Sequence, residues 1–357
     1  MHIVFAAGGT AGHLEPALNT ADALTRMAPT TSISFVGGSR GLERELVPAR
    51  GYPLIQTGAV PFPRRVGRPL VTFPRATSAA VRTAMAHLRS VRADAVVGFG
   101  GYAAIPGYLA ARRTRTPLLI HEANSRPGFA NRLAARFTEN VGVVHDGVLP
   151  HSRHMGLPLR PSVSHLDRRA MREQARRLWG FDPDAPVLLV FGGSQGAKRL
   201  NDVIEASIAA LTSAGIQILH SVGGRHALPK ASPGYLPVAY IEDMALAYAA
   251  ADLAVCRSGA MTCAELTAVG LPGIYVPLPV GNGEQAGNSR PIVLAGGGIQ
   301  RVDELLTPEW LTDTVVSVVQ DEKRLEAMSS AAYALGERQA DEECARWILD
   351  VALHGKG

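Results

Sequence analysis

Two α/β halves, each a doubly wound parallel sheet, are the fold this sequence predicts, and three observations predict it. Two glycine-rich turns each follow a short apolar run and precede a helical pattern. Strand-like and helix-like segments alternate on both sides of an aperiodic, proline-bearing stretch. The length of 357 residues suits two domains of ordinary size. The first turn is Gly8-Gly9-Thr10-Ala11-Gly12-His13, and the second is Gly192-Gly193-Ser194-Gln195-Gly196. Glycine lets a ligand approach the backbone, and the helix behind such a turn offers unbonded N–H groups and a positive dipole end. Two such turns predict two sheets whose strand ends face a cleft suited to a phosphate-bearing ligand and its reaction partner. Neither turn has the G-x-G-x-x-G spacing of a dinucleotide site or the Lys-Ser/Thr of a P-loop. A purely structural connector is the competing account of each.

Along the chain, apolar runs at 2–7, 33–36, 95–98, 117–120 and 140–144 read as parallel strands. Helical patterns lie between them near 13–27, 76–92, 102–113 and 127–136. Residues 145–164, with Pro150, Pro158 and Pro161, read as the linker and as a hinge that lets the halves close on a donor. The alternation restarts with a helix near 167–179 and a strand at 186–191, followed by a helix at 197–213 and strands at 216–220 and 237–241. A helix at 243–250, a strand at 252–256, a helix at 259–269, a strand at 273–276 and a helix at 284–295 complete it. A last helix near 340–354 has no strand after it and is expected to return to the first domain. The expected domains are therefore 1–159 with 338–357, and 160–337.

A hydrophobic content of 46% fills two cores. The three cysteines, Cys256, Cys263 and Cys344, have neither disulfide nor metal-ligand spacing, which suits a reducing compartment. Residues 1–160 hold 19 arginines, no lysine and 8 acids, a balance of +11, so the remainder of a chain of net charge +5 carries −6. Residues 46–93 contain no acid and eight arginines: Arg50, Arg64, Arg65, Arg68, Arg75, Arg82, Arg89 and Arg92. Within it, Arg75, Arg82 and Arg89 fall seven apart in one stripe, with Val81, Met85 and Leu88 on another face. Apolar residues ringed by arginines suit an anionic membrane interface, and Arg64, Arg65 and Arg68 are its expected centre. Nucleic acid is the rival partner, disfavoured by the lack of a nucleic-acid motif and by only 6% aromatic residues. No run of about 18 apolar residues offers a membrane span, and the strand-like start leads to the expectation of no leader segment. The expected location is the cytoplasm or the cytoplasmic face of a membrane.

Four segments carry residues suited to chemistry. In Cys256-Arg257-Ser258-Gly259-Ala260, Ser258 reads as a helix cap and Arg257 as a cation beside an anion site, with Glu265 two turns on placed to accept two ribose hydroxyls. A cap followed by a solvated glutamate is the plainer account. Pro277 through Gln285, a glycine-hinged loop ending in Glu284 and Gln285, offers the planar hydrogen-bonding groups that sugars need, or is an ordinary polar turn. Gly98-Phe99-Gly100-Gly101-Tyr102 and His121-Glu122-Ala123-Asn124 fall at the same sheet edge as His13. A helix start disfavours an imidazolium, so His13 is the candidate base and Glu122 the reserve, the competing view of His121 and Glu122 being a structural pair.

Taken together, GGTAGHLEPAL, VVGFGGYAAIPG, HEANSRPGFANR, GLPLR, FGGSQGAKRLN, YIEDM, CRSGAMTCAEL and GNGEQAGN resemble the MurG family, GlcNAc transferases of bacterial cell-wall synthesis. They occur in the family's order from residue 8 to about 300. The resemblance implies a GT-B fold and inverting transfer of GlcNAc from UDP-GlcNAc to the MurNAc 4-hydroxyl of undecaprenyl-diphosphate-linked MurNAc-pentapeptide. It further implies that Ser194 and Gln195 face the nucleotide phosphates, Arg160 the nucleotide, the Ile241 backbone uracil, Glu265 the ribose, and Ala260, Glu284 and Gln285 the GlcNAc. Thr10, Gly12 and Asn124 are counted with the donor contacts, His13 and Asn124 lie on the acceptor side, and Tyr102 joins Arg64, Arg65, Arg68 and Arg75 as acceptor or membrane contacts. Ala11, Ala123 and Glu284 depart from the family's common Gly, Gln and Gln. With helix N-termini and Arg257 to stabilise the departing diphosphate, and no D-x-D-like carboxylate pair beside the glycine turns to hold a divalent ion, no metal and no cofactor are expected. Other wall-building proteins are candidate partners. The alternatives are a related transferase with another acceptor, a UDP-sugar epimerase, a non-catalytic scaffold and a nicotinamide oxidoreductase.

Overall fold

A chain that alternates strand and helix must build parallel sheets, because each crossover helix carries it back to the same end of the next strand. The computed structural model shows this twice. The structure describes residues 1–58, 68–193, 195–280 and 282–355, the side chains of 68–74 standing outside that description. The chain divides into two compact units, Met1–Leu159 with Gln339–Gly357, and Arg160–Arg338.

The first unit holds β1 (His2–Ala6), β2 (Ser32–Gly37), β3 (Leu54–Gln56), β4 (Ala95–Gly98), β5 (Leu118–Glu122), β6 (Asn140–Val143) and β7 (Ser152–His154). Their spatial order is β3-β2-β1-β4-β5-β6-β7, every pair parallel. The order reverses between β1 and β4, so the turns leaving those two strands lie side by side, tied by Phe99 N–H donating to Ala6 O at 3.3 Å. Open α/β sheets bind ligands at this switch point. Helix Ala11–Met27 places Leu14, Ala17, Leu18, Ala21 and Leu24 on one stripe, buried against Ile3 and Phe5. Cys344, Ala345, Trp347 and Ile348 of helix Ala340–His354 enter the same core, and Arg26 pairs with Asp341 at 2.8 Å. The terminal helix therefore belongs to the first unit.

The second unit holds β8 (Val187–Phe191), β9 (Gln217–Ser221), β10 (Tyr235–Val238), β11 (Leu253–Cys256), β12 (Gly273–Tyr275) and β13 (Gly298–Gln300), in the order β10-β9-β8-β11-β12-β13, all parallel. Its switch point lies between β8 and β11, the paired strands that the second glycine turn and the Arg257–Gly259 turn follow.

Strands β3, β7 and β13 escape sequence periodicity because each is three residues long at or near a sheet edge. The stretch 145–164 is more than a linker: it contributes β7, and Met155, Leu157 and Leu159 are buried. Helices Glu43–Ala49, Pro308–Val319 and Glu322–Ala334 are further additions to the elements read from the sequence.

Candidate functional site

In the first unit the glycine turn delivers His13 to the switch point. Thr10 precedes helix Ala11–Met27 with extended backbone, and its hydroxyl meets the ring instead of capping the helix, Oγ1 lying 2.9 Å from His13 Nδ1. The imidazole rests against the β4 turn. A Cβ at Gly100 would stand 3.2 Å from His13 Cδ2, and one at Gly101, where φ is +78°, would overlap the Gly8 carbonyl oxygen. Glycine at these positions is what lets ring and backbone approach. Burial lowers the His13 pKa below the ordinary imidazole value, with the Glu122 carboxylate pulling weakly the other way, so the neutral ring is favoured.

Glu122, at the end of β5, is buried and fully engaged. Oε1 accepts from Asn124 N–H (2.9 Å) and Asn124 Nδ2 (3.1 Å), while Oε2 accepts from Gly128 N–H (3.1 Å) and Asn131 Nδ2 (3.0 Å). Asn131 also donates to His121 O (3.0 Å) and accepts from Tyr108 Oη (2.9 Å), which in turn accepts from Gly100 N–H (2.9 Å). One network thus runs from the turn beneath His13 to Glu122. With four N–H donors on its two oxygens, Glu122 is better suited to shaping the 122–128 loop than to removing a proton, so its place as reserve base gives way to a positioning role. His121 stacks on Phe99, with ring centroids 5.3 Å apart, and its Nε2 meets Gly156 O at 3.0 Å; burial lowers its pKa, as suits a neutral core residue. Tyr102 and Phe129, 43% and 45% exposed, stack at this edge with centroids 6.4 Å apart.

In the second unit, Gly196 has φ +76° and packs so closely on Val222 O that a Cβ would overlap it. Gly12 and Gln195 are exposed, and Ser194 lies outside the described residues. Helix Lys198–Ser213 is anchored behind this turn by Asn201, which donates to Val222 O (2.9 Å) and accepts from His220 Nε2 (3.1 Å). That bond leaves His220 Nδ1 to accept from Tyr235 Oη at 3.0 Å, and burial pushes His220 down to about 4. At the neighbouring turn, helix Ala260–Val269 is capped by Gly259, not Ser258; Ser258 is fully buried and its carbonyl accepts from Asn288 Nδ2 at 3.3 Å. Glu265 is fixed by Tyr248, whose hydroxyl donates to Oε2 at 2.7 Å and is kept protonated by burial. Leu278 N–H donates to Gln285 Oε1 (3.0 Å), and Asn282 and Glu284 exchange two backbone-to-side-chain bonds of 3.1 and 3.2 Å. The Ile241 side chain is core, and Arg160 is exposed at the head of helix Pro161–Ser164.

Arg257 requires a correction. Its guanidinium is turned into the protein, donating to the Asp303 carboxylate and to Val276 O at 3.1 Å. A charge neutralised in this way is a structural pair, not the cation beside an anion site that the sequence suggested.

The chain matches the Glycosyltransferase family 28 N-terminal domain over residues 3–143 and its C-terminal domain over 187–344. The UDP-N-acetylglucosamine--N-acetylmuramyl-(pentapeptide) pyrophosphoryl-undecaprenol N-acetylglucosamine transferase of Streptomyces avermitilis is 52% identical over 96% of both chains. That of Thermobifida fusca is 49% identical over 99% of this chain and 94% of its own. The crystal structure of Acinetobacter baumannii MurG superposes with a TM-score of 0.79 at 29% identity, covering 98% of this chain and 99% of that one.

The chain belongs to the MurG family.

As a MurG family glycosyltransferase with the GT-B fold, it moves GlcNAc from UDP-GlcNAc to lipid I in peptidoglycan synthesis. Membership sets aside the epimerase, scaffold, nicotinamide and other-acceptor alternatives. The calicheamicin glycosyltransferase CalG4, at 18% identity and a TM-score of 0.69, shares the fold.

The sequence reading of this MurG family member missed Tyr108, Asn131, Asn201 and Asp303, each of which acts through a partner far along the chain. The glycine-rich neighbourhoods of Gly100 and Gly196 were the available signal. On the basic stretch, Arg64 and Arg65 lie outside the described residues, as does the Arg68 side chain. Arg75, Arg82 and Arg89 are exposed along helix Arg68–Ser90, but Val81 and Leu88 are buried in the unit's own core, so the expected apolar ring around the arginines is not formed by them.

Proposed function

We propose that the transfer is metal-independent, with His13 as general base and the helix N-termini of the second unit taking up the charge of departing UDP. The observation that carries the base assignment is the Thr10–His13 contact at the β1/β4 switch point. In the tautomer this reading assigns, Nδ1–H donates to the Thr10 hydroxyl and Nε2 keeps the lone pair. In the reaction the MurNAc 4-hydroxyl oxygen forms a bond to the anomeric carbon of GlcNAc, its proton passes to Nε2, and the bond to the β-phosphate breaks with its electron pair leaving on UDP. Attack opposite the leaving group inverts the anomeric centre.

In this reading Ser194 and Gln195 at the second glycine turn, and Ala260 at the head of its helix, receive the phosphates and sugar. Glu265 takes the ribose hydroxyls, the Ile241 backbone takes uracil, and Arg160, Glu284 and Gln285 complete the donor site. Glu265 is well suited because the Tyr248 bond holds its carboxylate still while leaving acceptor capacity. Among the described residues no group of three or more His, Cys, Asp or Glu side chains is arranged to hold a metal. Radiolabelled UDP-GlcNAc incubated with the protein and a lipid I analogue is expected to give the same rate with and without EDTA. A rate lost in chelator and restored by magnesium would overturn the metal-independent reading.

We also assign the protein to the cytoplasmic face of the membrane as a peripheral enzyme. The described residues contain no helix long and apolar enough to cross a bilayer. Support comes from the exposed row Arg75, Arg82 and Arg89, and from a groove in which Arg82 and Arg113 lie beside Met85 and Leu109. Each arginine near an anionic surface contributes about 1 kcal/mol. Replacing Arg75, Arg82 and Arg89 together by Ser is expected to weaken binding to anionic vesicles at least tenfold at low salt, with little change on neutral vesicles. Unchanged partitioning in a vesicle sedimentation assay would remove the arginine row from the membrane surface.

A further inference from the structure

The first glycine turn has the outward form of an anion cradle, yet its Gly9 N–H is already bonded to an anion of the protein's own. Glu43, at the head of helix Glu43–Ala49, is 1% exposed. Its Oε2 accepts from Gly9 N–H at 3.0 Å and its Oε1 from Gly38 N–H at 2.9 Å, so one carboxylate ties together the turns that leave β1 and β2. Glycines on the surrounding backbone make room for the carboxylate. A Cβ at Gly8 would stand 2.8 Å from the Glu43 carboxyl carbon, one at Gly38 2.9 Å from Oε1, and one at Gly41 would overlap Oε2.

The clamped turn leads directly to the site. A Cβ at Gly101 would overlap the Gly8 carbonyl oxygen and stand 3.3 Å from His13 Nδ1. Thr10, which bonds His13, follows Gly9 immediately. A shift of this turn therefore moves both the hydroxyl that orients the imidazole and the backbone on which it rests.

We propose that Glu43 is a positioning residue for transfer: an internal carboxylate that fills the anion site of the first turn and fixes the placement of His13. The inference rests on His13 as the base. Because Glu43 belongs to the first unit, it sets the rate of the chemical step and not the affinity of the second unit for nucleotide.

The test is E43Q beside G41A and H13A in the full-length protein. Glutamine keeps the shape but turns an N–H₂ group toward one of the two backbone donors; alanine at 41 keeps the charge but displaces it. Both variants are expected to lower kcat with a lipid I analogue tenfold or more, with UDP-GlcNAc KM and UDP Kd by calorimetry within twofold of the parent. The KM-against-kcat split separates positioning from general loss of fold, which would take nucleotide binding with it. If E43Q lowers kcat less than threefold while H13A is inactive, the Glu43 inference fails and the base assignment stands. If UDP affinity falls in step with kcat, Glu43 is structural and the inference fails likewise. Normal turnover by H13A would instead remove the base assignment on which it rests.

Discussion

His13→Ala is expected to lower kcat by about 10²- to 10⁴-fold, the usual contribution of a positioned proton acceptor, while UDP binds with parental affinity. The separation follows from the architecture: His13 stands in the first unit, whereas the residues read as nucleotide contacts (Ser194, Gln195, Ile241 and Glu265) stand in the second. A base must be neutral before it can accept a proton, and burial favours the neutral form of this imidazole. The sign of the pH dependence is therefore fixed. In the parent, kcat/KM falls as pH drops through the depressed His13 pKa, so the acid limb lies below the ordinary imidazole value of about 6.5. In His13→Ala that limb is lost and only the low residual rate remains. Full turnover by His13→Ala, or an acid limb that survives the substitution unchanged, would assign the proton to another group.

The same residue shows how far the sequence carried. His13 stands out because a strand, a glycine turn and a helix start are local patterns, and a helix start has a predictable field. The alternation of apolar runs and helical stripes is local too, and it yielded both sheets apart from the three-residue edge strands β3, β7 and β13. What stays hidden is whatever depends on a distant partner. Tyr108 reads as an ordinary core aromatic, and only the fold brings its hydroxyl between Gly100 and Asn131. Glu122 reads either as a reserve base or as half of a structural pair with His121 until its four N–H donors are seen. Val81 and Leu88 read as membrane-facing because a helical stripe does not say which neighbour covers it; here the core of the first unit does. Ser258 fits a cap by composition, but the chain reaches cap geometry one residue later, at Gly259, where φ is −63° and ψ 150°.

Arg257 is the strongest case, and it leads to the second large effect. Its partner Asp303 lies 46 residues on, in the short turn after β13, and both side chains are about nine-tenths buried. Two charges withdrawn from water are tolerable only together; removing one leaves the other desolvated, at a cost of about 3–5 kcal/mol. Asp303→Ala is therefore expected to destabilise the second unit by that amount, lowering its thermal midpoint by about 10 °C. Arg257 would retain only carbonyl partners such as Val276 O, which cannot neutralise it. Arg257→Met combined with Asp303→Ala removes both charges, so the double variant is expected to be more stable than Asp303→Ala alone, a coupling that urea unfolding of the four proteins measures directly. If Arg257 were instead a solvated cation reserved for the nucleotide phosphates, Asp303→Ala would cost less than about 1 kcal/mol, as exposed pairs do, and the two substitutions would add.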